Sequence, residues 1–147
     1  MKIMQLSVFL ENRLGHLSQI CKTLADAEIN ILTLTLADTS DYGILRLIVR
    51  EWQKAKSVLE EENCTVNVVE VMVVEVPDKP GGIEPVLQLA ENSGLSIEYM
   101  YAFASKRGEN AIIIIRFTDL TKAEEVFRQA NINVLAADNL YLNEEVK

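Results

Sequence analysis

Two short turns, Asn12-Arg13-Leu14-Gly15 and Asp78-Lys79-Pro80-Gly81, stand 66 residues apart and open the same pattern twice. An apolar run with helical spacing follows each turn. A residue pair that opens a strand-like run comes next, Asn30-Ile31 in the first half and Ser96-Ile97 in the second. The same offset aligns about 45 residues without a gap. The chain is therefore an internal repeat, in which one structural unit occurs twice.

The hydrophobic periodicity gives the order of elements in each copy. Alternation predicts strands and a spacing of three to four residues predicts helices. In the first copy the strands are expected at 3–10, 31–37, 44–50 and 65–70, and the helices at 16–27 and 53–62. In the second copy the strands are expected at 71–77, 97–104, 110–117 and 133–142, and the helices at 83–93 and 121–130.

Both copies thus read strand, helix, strand, strand, helix, strand. Right-handed crossovers then pack the two helices of a copy on one face of an antiparallel sheet. The sequence predicts an α+β fold with two ferredoxin-like βαββαβ units in tandem. No linker rich in proline, glycine or serine separates the copies, and we expect the domains at 1–70 and 71–147.

Composition and charge exclude several classes of protein. The net charge of −8 argues against a nucleic-acid partner, which needs clustered lysine and arginine. No apolar run approaches the roughly 18 residues of a membrane span. The first residues lead straight into a strand pattern without a signal segment. Cys21 and Cys64 lack the spacing of a disulfide or metal pair, and a reduced, cytoplasmic protein is expected.

The sequence contains no set of residues that predicts catalysis. The only histidine, His16, excludes a multi-histidine metal site, and no phosphate-binding or dinucleotide-binding glycine motif is present. We therefore expect no enzyme activity, no metal and no cofactor. His16 itself is expected at the surface where a helix starts, or in contact with a ligand. A small phosphatase of the same fold would use Arg13 and Asn12, but its glycine-rich phosphate loop is missing.

The two turns are the candidate binding elements. Each joins the end of a strand to the start of a helix, where Asn12 or Asp78 can cap the helix and glycine can adopt a positive φ. Free backbone amides at a helix N-terminus suit an anion such as a carboxylate. Because any strand-to-helix turn favours these residues, a purely structural role remains the alternative.

The doubled turn, followed in each copy by an amphipathic helix and by Asn30-Ile31 or Ser96-Ile97, resembles the ACT domain, a small regulatory module that binds amino acids. The resemblance covers essentially the whole chain as two tandem ACT domains. Leu14 stands where the family usually has proline, and Ser96 stands where it has asparagine, so the two sites are not expected to be equivalent.

The resemblance implies a free amino acid bound between two ACT domains. The turn of one domain would hold its polar head, and the residues that open the second strand of the facing domain would complete the pocket. The residues expected to contact the ligand are Asn12, Arg13, Leu14, Gly15, His16, Leu17, Asn30 and Ile31 in the first copy, and Asp78, Lys79, Pro80, Gly81, Gly82, Ile83, Ser96, Ile97, Glu98 and Tyr99 in the second.

The sheet face without helices differs between the copies. It carries Gln5, Ser7, Arg46 and Ile48 in the first copy, and Val71, Val73, Ile112 and Ile114 in the second. An apolar face of this kind is usually covered by a partner, although another part of the chain is the alternative. The pattern predicts a homo-oligomer, most simply a dimer.

Two further hypotheses remain open. The chain is either a stand-alone sensor of an amino acid or a regulatory subunit that acts in trans on an amino-acid biosynthetic enzyme. An RNA-binding sheet of the same topology is disfavoured, because the aromatic recognition pattern is absent and the charge has the wrong sign.

Overall fold

The computed structural model describes residues 2–11, 13–38, 41–103 and 106–141. The chain divides into two compact units. The N-terminal unit comprises Met4–Val69, and the C-terminal unit comprises the residues from Glu70 onward together with the start of the chain up to Ile3. Asn12, one of the predicted ligand contacts, lies outside the described residues.

The N-terminal unit contains β1 (Ile3–Glu11) from its second residue onward, α1 (His16–Asp26), β2 (Ile31–Asp38), β3 (Tyr42–Val49), α2 (Trp52–Glu61) and the first part of β4 (Val66–Pro77). The C-terminal unit contains the rest of β4, then α3 (Glu84–Asn92), β5 (Ile97–Ala102), β6 (Asn110–Phe117), α4 (Leu120–Gln129), β7 (Asn133–Val134) and α5 (Ala137–Tyr141). The strand order is β2-β3-β1-β4 in the first unit and β5-β6-β4-β7 in the second. This is the predicted α+β fold of two ferredoxin-like units.

Each unit has its own core between its helices and one face of its sheet. In the N-terminal unit Leu6, Val8 and Leu10 of β1 pack with Ile20 and Leu24 of α1, as the alternation of β1 and the helical spacing of α1 predict. In the C-terminal unit the corresponding core is formed by Met72, Val74, Val76, Val86, Ala90, Ile115, Phe117 and Phe127. Phe117 and Phe127 meet edge to face with ring centroids 5.4 Å apart.

The first four helices all end in the same way. A residue with left-handed φ follows each helix: Glu28 at 57°, Asn63 at 63°, Gly94 at 66° and Asn131 at 59°. The next amide then donates back to a carbonyl of the last turn, for example Ile29 N to Leu24 O at 2.9 Å. This is the hydrogen-bond pattern of a Schellman motif. The repeat seen in the sequence therefore extends to the backbone conformation at each helix end.

The predicted strand at 133–142 is wrong for most of its length. Of its described residues only Asn133–Val134 pair with β4, and the chain then forms α5. Residue 142 lies outside the described residues. Alanine, aspartate and asparagine at 136–139 are poor strand residues, so the short apolar alternation around Leu135 did not extend the strand. The predicted strands 65–70 and 71–77 form the single strand β4.

The expectation of an uncovered apolar face in the second copy is also wrong. Val71, Val73, Ile112 and Ile114 are at most 4% exposed in the single chain. The alternative holds, since another part of the chain covers them. The amide of Leu135 donates to the carbonyl of Val73 at 2.8 Å. In the segment that follows, the side chains of Ala137, Leu140 and Tyr141 are themselves buried. This face is therefore not a surface through which two copies would form a dimer.

Candidate functional site

The N-terminal turn, residues 13–15, joins β1 to α1. Gly15 precedes the helix with φ at +87°, a conformation that other residues rarely adopt, and no side chain of the described residues caps the helix. The amide of Arg13 donates to the carbonyl of Glu11 at 2.8 Å and closes the turn. The amides of Gly15 and Leu17 donate to no acceptor within the described part of the chain. They remain available to an anion.

The side chains of this turn divide into a polar and an apolar group. The Arg13 guanidinium lies 3.1 Å from the Glu11 carboxylate and donates to the Gln19 side chain at 3.2 Å. Leu14 is fully exposed at the tip of the turn, and Leu17 is partly exposed on the first turn of α1. The turn thus presents a cation and two apolar side chains beside its amides.

His16 does not lie at the surface, contrary to the sequence-based expectation. It is only 7% exposed, and its Nδ1 accepts the amide proton of Glu11 at 3.1 Å. The amide of Phe9, two residues earlier on β1, points to the same side of the strand as the amide of Glu11. It donates to the carbonyl of Thr65 at 3.0 Å. The amide of Glu11 lies beyond that last bond to Thr65, and His16 supplies its acceptor.

The C-terminal turn, residues 78–82, joins β4 to α3 and repeats the conformation of the first. Gly81 has φ at +81°, at the position equivalent to Gly15. The amide of Gly82 donates to the carbonyl of Lys79 at 2.9 Å. Asp78 does not cap the helix, because α3 begins only at Glu84 and Ile83 precedes it without a side-chain cap. The predicted capping role of Asp78 is wrong.

Asp78 instead faces the hairpin between β5 and β6. Its carboxylate forms an ion pair with Lys106, and its amide donates to the carbonyl of Glu109 at 3.2 Å. A cavity of about 440 Å³ separates the turn from this hairpin, and it is lined by Pro77, Asp78, Lys79, Lys106, Gly108, Glu109 and Asn110. Its volume lies within the usual range of small-molecule sites.

Sequence reasoning found only part of this cavity. It named Asp78 and Lys79 but missed Lys106 and Asn110. The hairpin residues come to the turn because Pro77 pairs with Asn110 in the register of β4 and β6. No pattern of neighbouring residues in the sequence predicts the register of β4 with β6. The doubled repeat did align the two hairpins, and the lysine and arginine at 106–107 were the available signal.

A carboxylate lies next to the cavity residue Asn110. Glu75 is on the sheet face without α3 and α4, and its side chain is 11% exposed. It accepts from Asn110 Nδ2 at 2.7 Å and from Asn133 Nδ2 at 2.9 Å, and Arg107 Nε lies 3.8 Å away. The buried Arg107 Nη1 has no hydrogen-bond partner among the described residues. This group ties the hairpin, β4 and β7 together.

The residues that open the second strands lie far from the turns of their own units. Ile31 pairs with Val49, whereas the turn end of the sheet is marked by the pair of Glu11 with Tyr42. Seven residues of β3 separate those two levels, about 23 Å of strand. Ile97 likewise pairs with Phe117, at the end of β6 opposite Asn110. Within one unit the structure does not bring Asn30, Ile31, Ser96, Ile97, Glu98 or Tyr99 to a turn.

A second cavity of about 540 Å³ lies at the end of α4 and is lined in part by Glu124, Arg128 and Asn131. Across the described ranges, no three histidine, cysteine, aspartate or glutamate side chains are grouped as metal ligands. No helix in that part of the chain has the length and apolar character needed to cross a membrane.

Comparison with known proteins places this geometry in a family. Residues 1–143 match the family model described as an ACT domain pair. A crystal structure of a protein from Bacteroides thetaiotaomicron is 37% identical, covers 97% of each chain and superposes with a TM-score of 0.89. The ligand-free regulatory subunit of aspartate kinase from Thermus thermophilus is 16% identical, with 86% of this chain and 89% of that chain covered and a TM-score of 0.64. The regulatory subunit of aspartate kinase from Thermus flavus is also 16% identical, with 88% of this chain and 92% of that chain covered and a TM-score of 0.62. A search of curated proteins finds no match.

Proposed function

Because the chain belongs to the family of ACT domain pairs, we propose that it is a regulatory protein that binds a free amino acid where two ACT domains meet. The resemblance supplies the class of ligand. The geometry of the C-terminal turn supplies the reason that a zwitterion fits there, and the geometry of the N-terminal turn favours the carboxylate of the ligand.

The arrangement of charge around the C-terminal turn carries this proposal. The cavity of about 440 Å³ is lined by one carboxylate of the turn, Asp78, and by two ammonium groups, Lys79 and Lys106. A zwitterion matches both signs. Its ammonium group replaces Lys106 as the partner of Asp78, and its carboxylate is met by the lysines and by the amides near Gly81. Displacing an exposed ion pair costs little, so the Asp78–Lys106 contact does not oppose binding.

The N-terminal turn offers a different set of groups. The amides of Gly15 and Leu17, at the positive end of α1, donate to no acceptor among the described residues, and Arg13 of the same turn adds a positive charge. The apolar side chains of Leu14 and Leu17 favour a ligand with an apolar or mixed side chain. The two turns are therefore expected to bind with different affinities.

A second copy of the chain is proposed to complete the N-terminal site. β2 is an edge strand of its unit, and Leu34 and Leu36 on it are 48% and 47% exposed. An exposed apolar edge favours pairing with another strand. If two copies pair through β2 about a two-fold axis, the strands run antiparallel. Asn30 and Ile31 of the second copy then lie at the end of the sheet that holds the turn.

Calorimetry of the purified protein with each of the twenty amino acids tests the sensor function. We expect one amino acid, or a small set, to bind and to raise the melting temperature. Replacing Asp78 with Ala removes a charge-assisted contact and is expected to weaken binding roughly ten- to a hundredfold. Glu61→Ala, an exposed carboxylate on α2, is the matched control and should bind as wild type does.

Two results would contradict the proposal. If no amino acid produces heat at millimolar concentration, the chain is not an amino-acid sensor. If binding occurs but Asp78→Ala and Asn12→Ala both leave it unchanged, the ligand binds elsewhere. The dimer is tested separately by light scattering. Leu34→Lys is expected to give monomers, and a monomeric wild type at tens of micromolar would exclude the dimer.

A regulatory subunit acting in trans on an amino-acid biosynthetic enzyme is the second candidate. Among the described residues six of the seven exposed large apolar side chains belong to the N-terminal unit: Phe9, Leu14, Leu17, Leu34, Leu36 and Tyr42. Phe9 and Tyr42 stack on each other at 4.9 Å on the sheet face without helices. The stack is partly exposed and does not belong to β2, so an apolar surface of an enzyme could pack on it.

The test of this second function is a binding partner that depends on the stack. An amino-acid biosynthetic enzyme is expected to be retained by the wild-type chain and lost with Tyr42→Asp, and its inhibition by the amino acid should require the chain. A wild-type chain that binds the amino acid but leaves every such enzyme unaffected would favour the stand-alone sensor. We also propose a cytoplasmic location, which the two free cysteines support because disulfides are rare in that compartment.

A further inference from the structure

The two turns are closed by different devices at equivalent positions. In the first unit the Glu11 amide is held by Nδ1 of His16 at 3.1 Å. With the offset of 66 residues, Glu11 corresponds to Pro77 and His16 corresponds to Gly82. Proline has no amide proton, and glycine has no side chain that accepts one. The donor and its acceptor are thus present together in one copy and absent together in the other.

Contact between backbone atoms replaces that hydrogen bond in the second unit. A Cβ atom built on Gly82 would lie 1.9 Å from the carbonyl oxygen of Pro77. Only glycine permits this approach, so the last residue of the turn packs directly against the end of β4. Pro77 and Pro80 also fix two φ angles in that segment. The C-terminal turn therefore holds its shape without a side-chain hydrogen bond.

The N-terminal turn lacks these constraints. Glu11 and Leu14 stand in place of Pro77 and Pro80, so no proline ring fixes φ at either position. His16 is the first residue of α1, so its bond to Glu11 fixes the distance between the strand end and the helix start. That distance sets where the amides of Gly15 and Leu17 point. Because Nδ1 accepts, the imidazole proton of the neutral ring is on Nε2.

We infer that His16 is a positioning residue of the N-terminal ligand site: its imidazole holds the turn in the shape that binds the amino acid, as Pro77 and Gly82 do in the second unit. The inference rests on the proposed function. His16 does not touch the ligand. It acts through the Glu11 amide, and its loss lets the turn widen and the ligand-binding amides diverge.

The experiment compares variants in an Asp78→Ala background, so that calorimetry reports the N-terminal turn. His16→Leu removes the acceptor and keeps the bulk, and is expected to weaken binding about tenfold. His16→Asn keeps an acceptor, since its Oδ1 is as many bonds from the backbone as Nδ1, and is expected to bind within about threefold of the background. Hydrogen exchange at the Glu11 amide should be faster in His16→Leu and unchanged in His16→Asn.

The outcomes separate this inference from the sensor function. Wild type that binds no amino acid contradicts the function itself. If the wild type binds an amino acid, either of two results overturns the inference and leaves the function intact. One is that His16→Leu binds as tightly as the Asp78→Ala background, and the other is that this background does not bind. If His16→Leu does not fold, the double variant Glu11→Pro, His16→Gly copies the second unit. It is expected to fold and bind within about threefold of the background, and loss of binding there overturns the inference.

Discussion

Asn110 donates its side-chain amide proton to Glu75 across 2.7 Å, and this bond joins the cavity at the C-terminal turn to a carboxylate on the sheet face without helices. Asn110 is the first residue of β6 and pairs with Pro77, whereas Glu75 lies two residues earlier on β4. The Glu75 carboxylate also accepts from the Asn133 side chain, and the guanidinium of the hairpin residue Arg107 lies near the same carboxylate. One buried acid therefore fixes three segments around the candidate site.

Replacing Asn110 with Ala is expected to destabilise the chain by about 2 kcal/mol, because a mostly buried carboxylate loses a charge-assisted hydrogen bond. Urea denaturation measures the change. Asn67→Ala, an exposed asparagine on β4, is the control and should shift the unfolding free energy by less than about 0.5 kcal/mol. Equal effects of the two variants would show that the bond to Glu75 contributes nothing to stability.

Gly82→Ala is expected to destabilise the C-terminal unit by about 3 kcal/mol, since the added Cβ must displace the Pro77 carbonyl or the turn. Gly108→Ala is the comparison. Its φ is +62° but no atom lies within 4 Å of the added Cβ, so only backbone strain of about 1 kcal/mol applies. The melting temperature of Gly82→Ala should therefore be lower than that of Gly108→Ala. The reverse order would mean that the close approach is relieved at no cost.

Glu28→Gly is expected to stabilise the N-terminal unit by about 1 kcal/mol. Glu28 holds φ at 57° after α1, where Gly94 stands after α3, and an exposed glutamate gains nothing there that offsets the strain. Glu91→Gly, an exposed position within α3, should lower stability by a similar amount. Chemical denaturation of both variants checks the opposite signs, and a loss of stability in Glu28→Gly would contradict the strain argument.

Cys64 is expected to be alkylated slowly. Burial raises the pKa of its thiol, the Glu62 carboxylate raises it further, and the Arg13 guanidinium partly lowers it. The thiolate is the reactive form, so a raised pKa moves reactivity to higher pH. In a Cys21→Ser background with iodoacetamide at pH 8, Glu62→Gln should react faster and Arg13→Gln more slowly. The controls Glu61→Gln and Lys56→Gln should leave the rate unchanged. A faster Arg13→Gln would be inconsistent with the guanidinium lying near Cys64.

The sequence by itself determined the repeated βαββαβ order and the left-handed glycines of both turns, Gly15 and Gly81. These features depend on periodicity within an element or on the backbone freedom of one residue, and both are local. It also identified Asp78 and Lys79 as candidate contacts, because they belong to the turn itself.

Only the tertiary structure decided that His16 faces inward, that Lys106 and Asn110 line the cavity, and that α5 replaces the end of the last predicted strand. Each of these depends on contacts between residues distant along the chain. The acceptor for Glu11 is needed because its amide points past the last bond of that strand edge, and the hairpin meets the turn through the register of β4 with β6. Strand register and chain reversal set these distances, and a single sequence encodes them only through the packing of the whole unit.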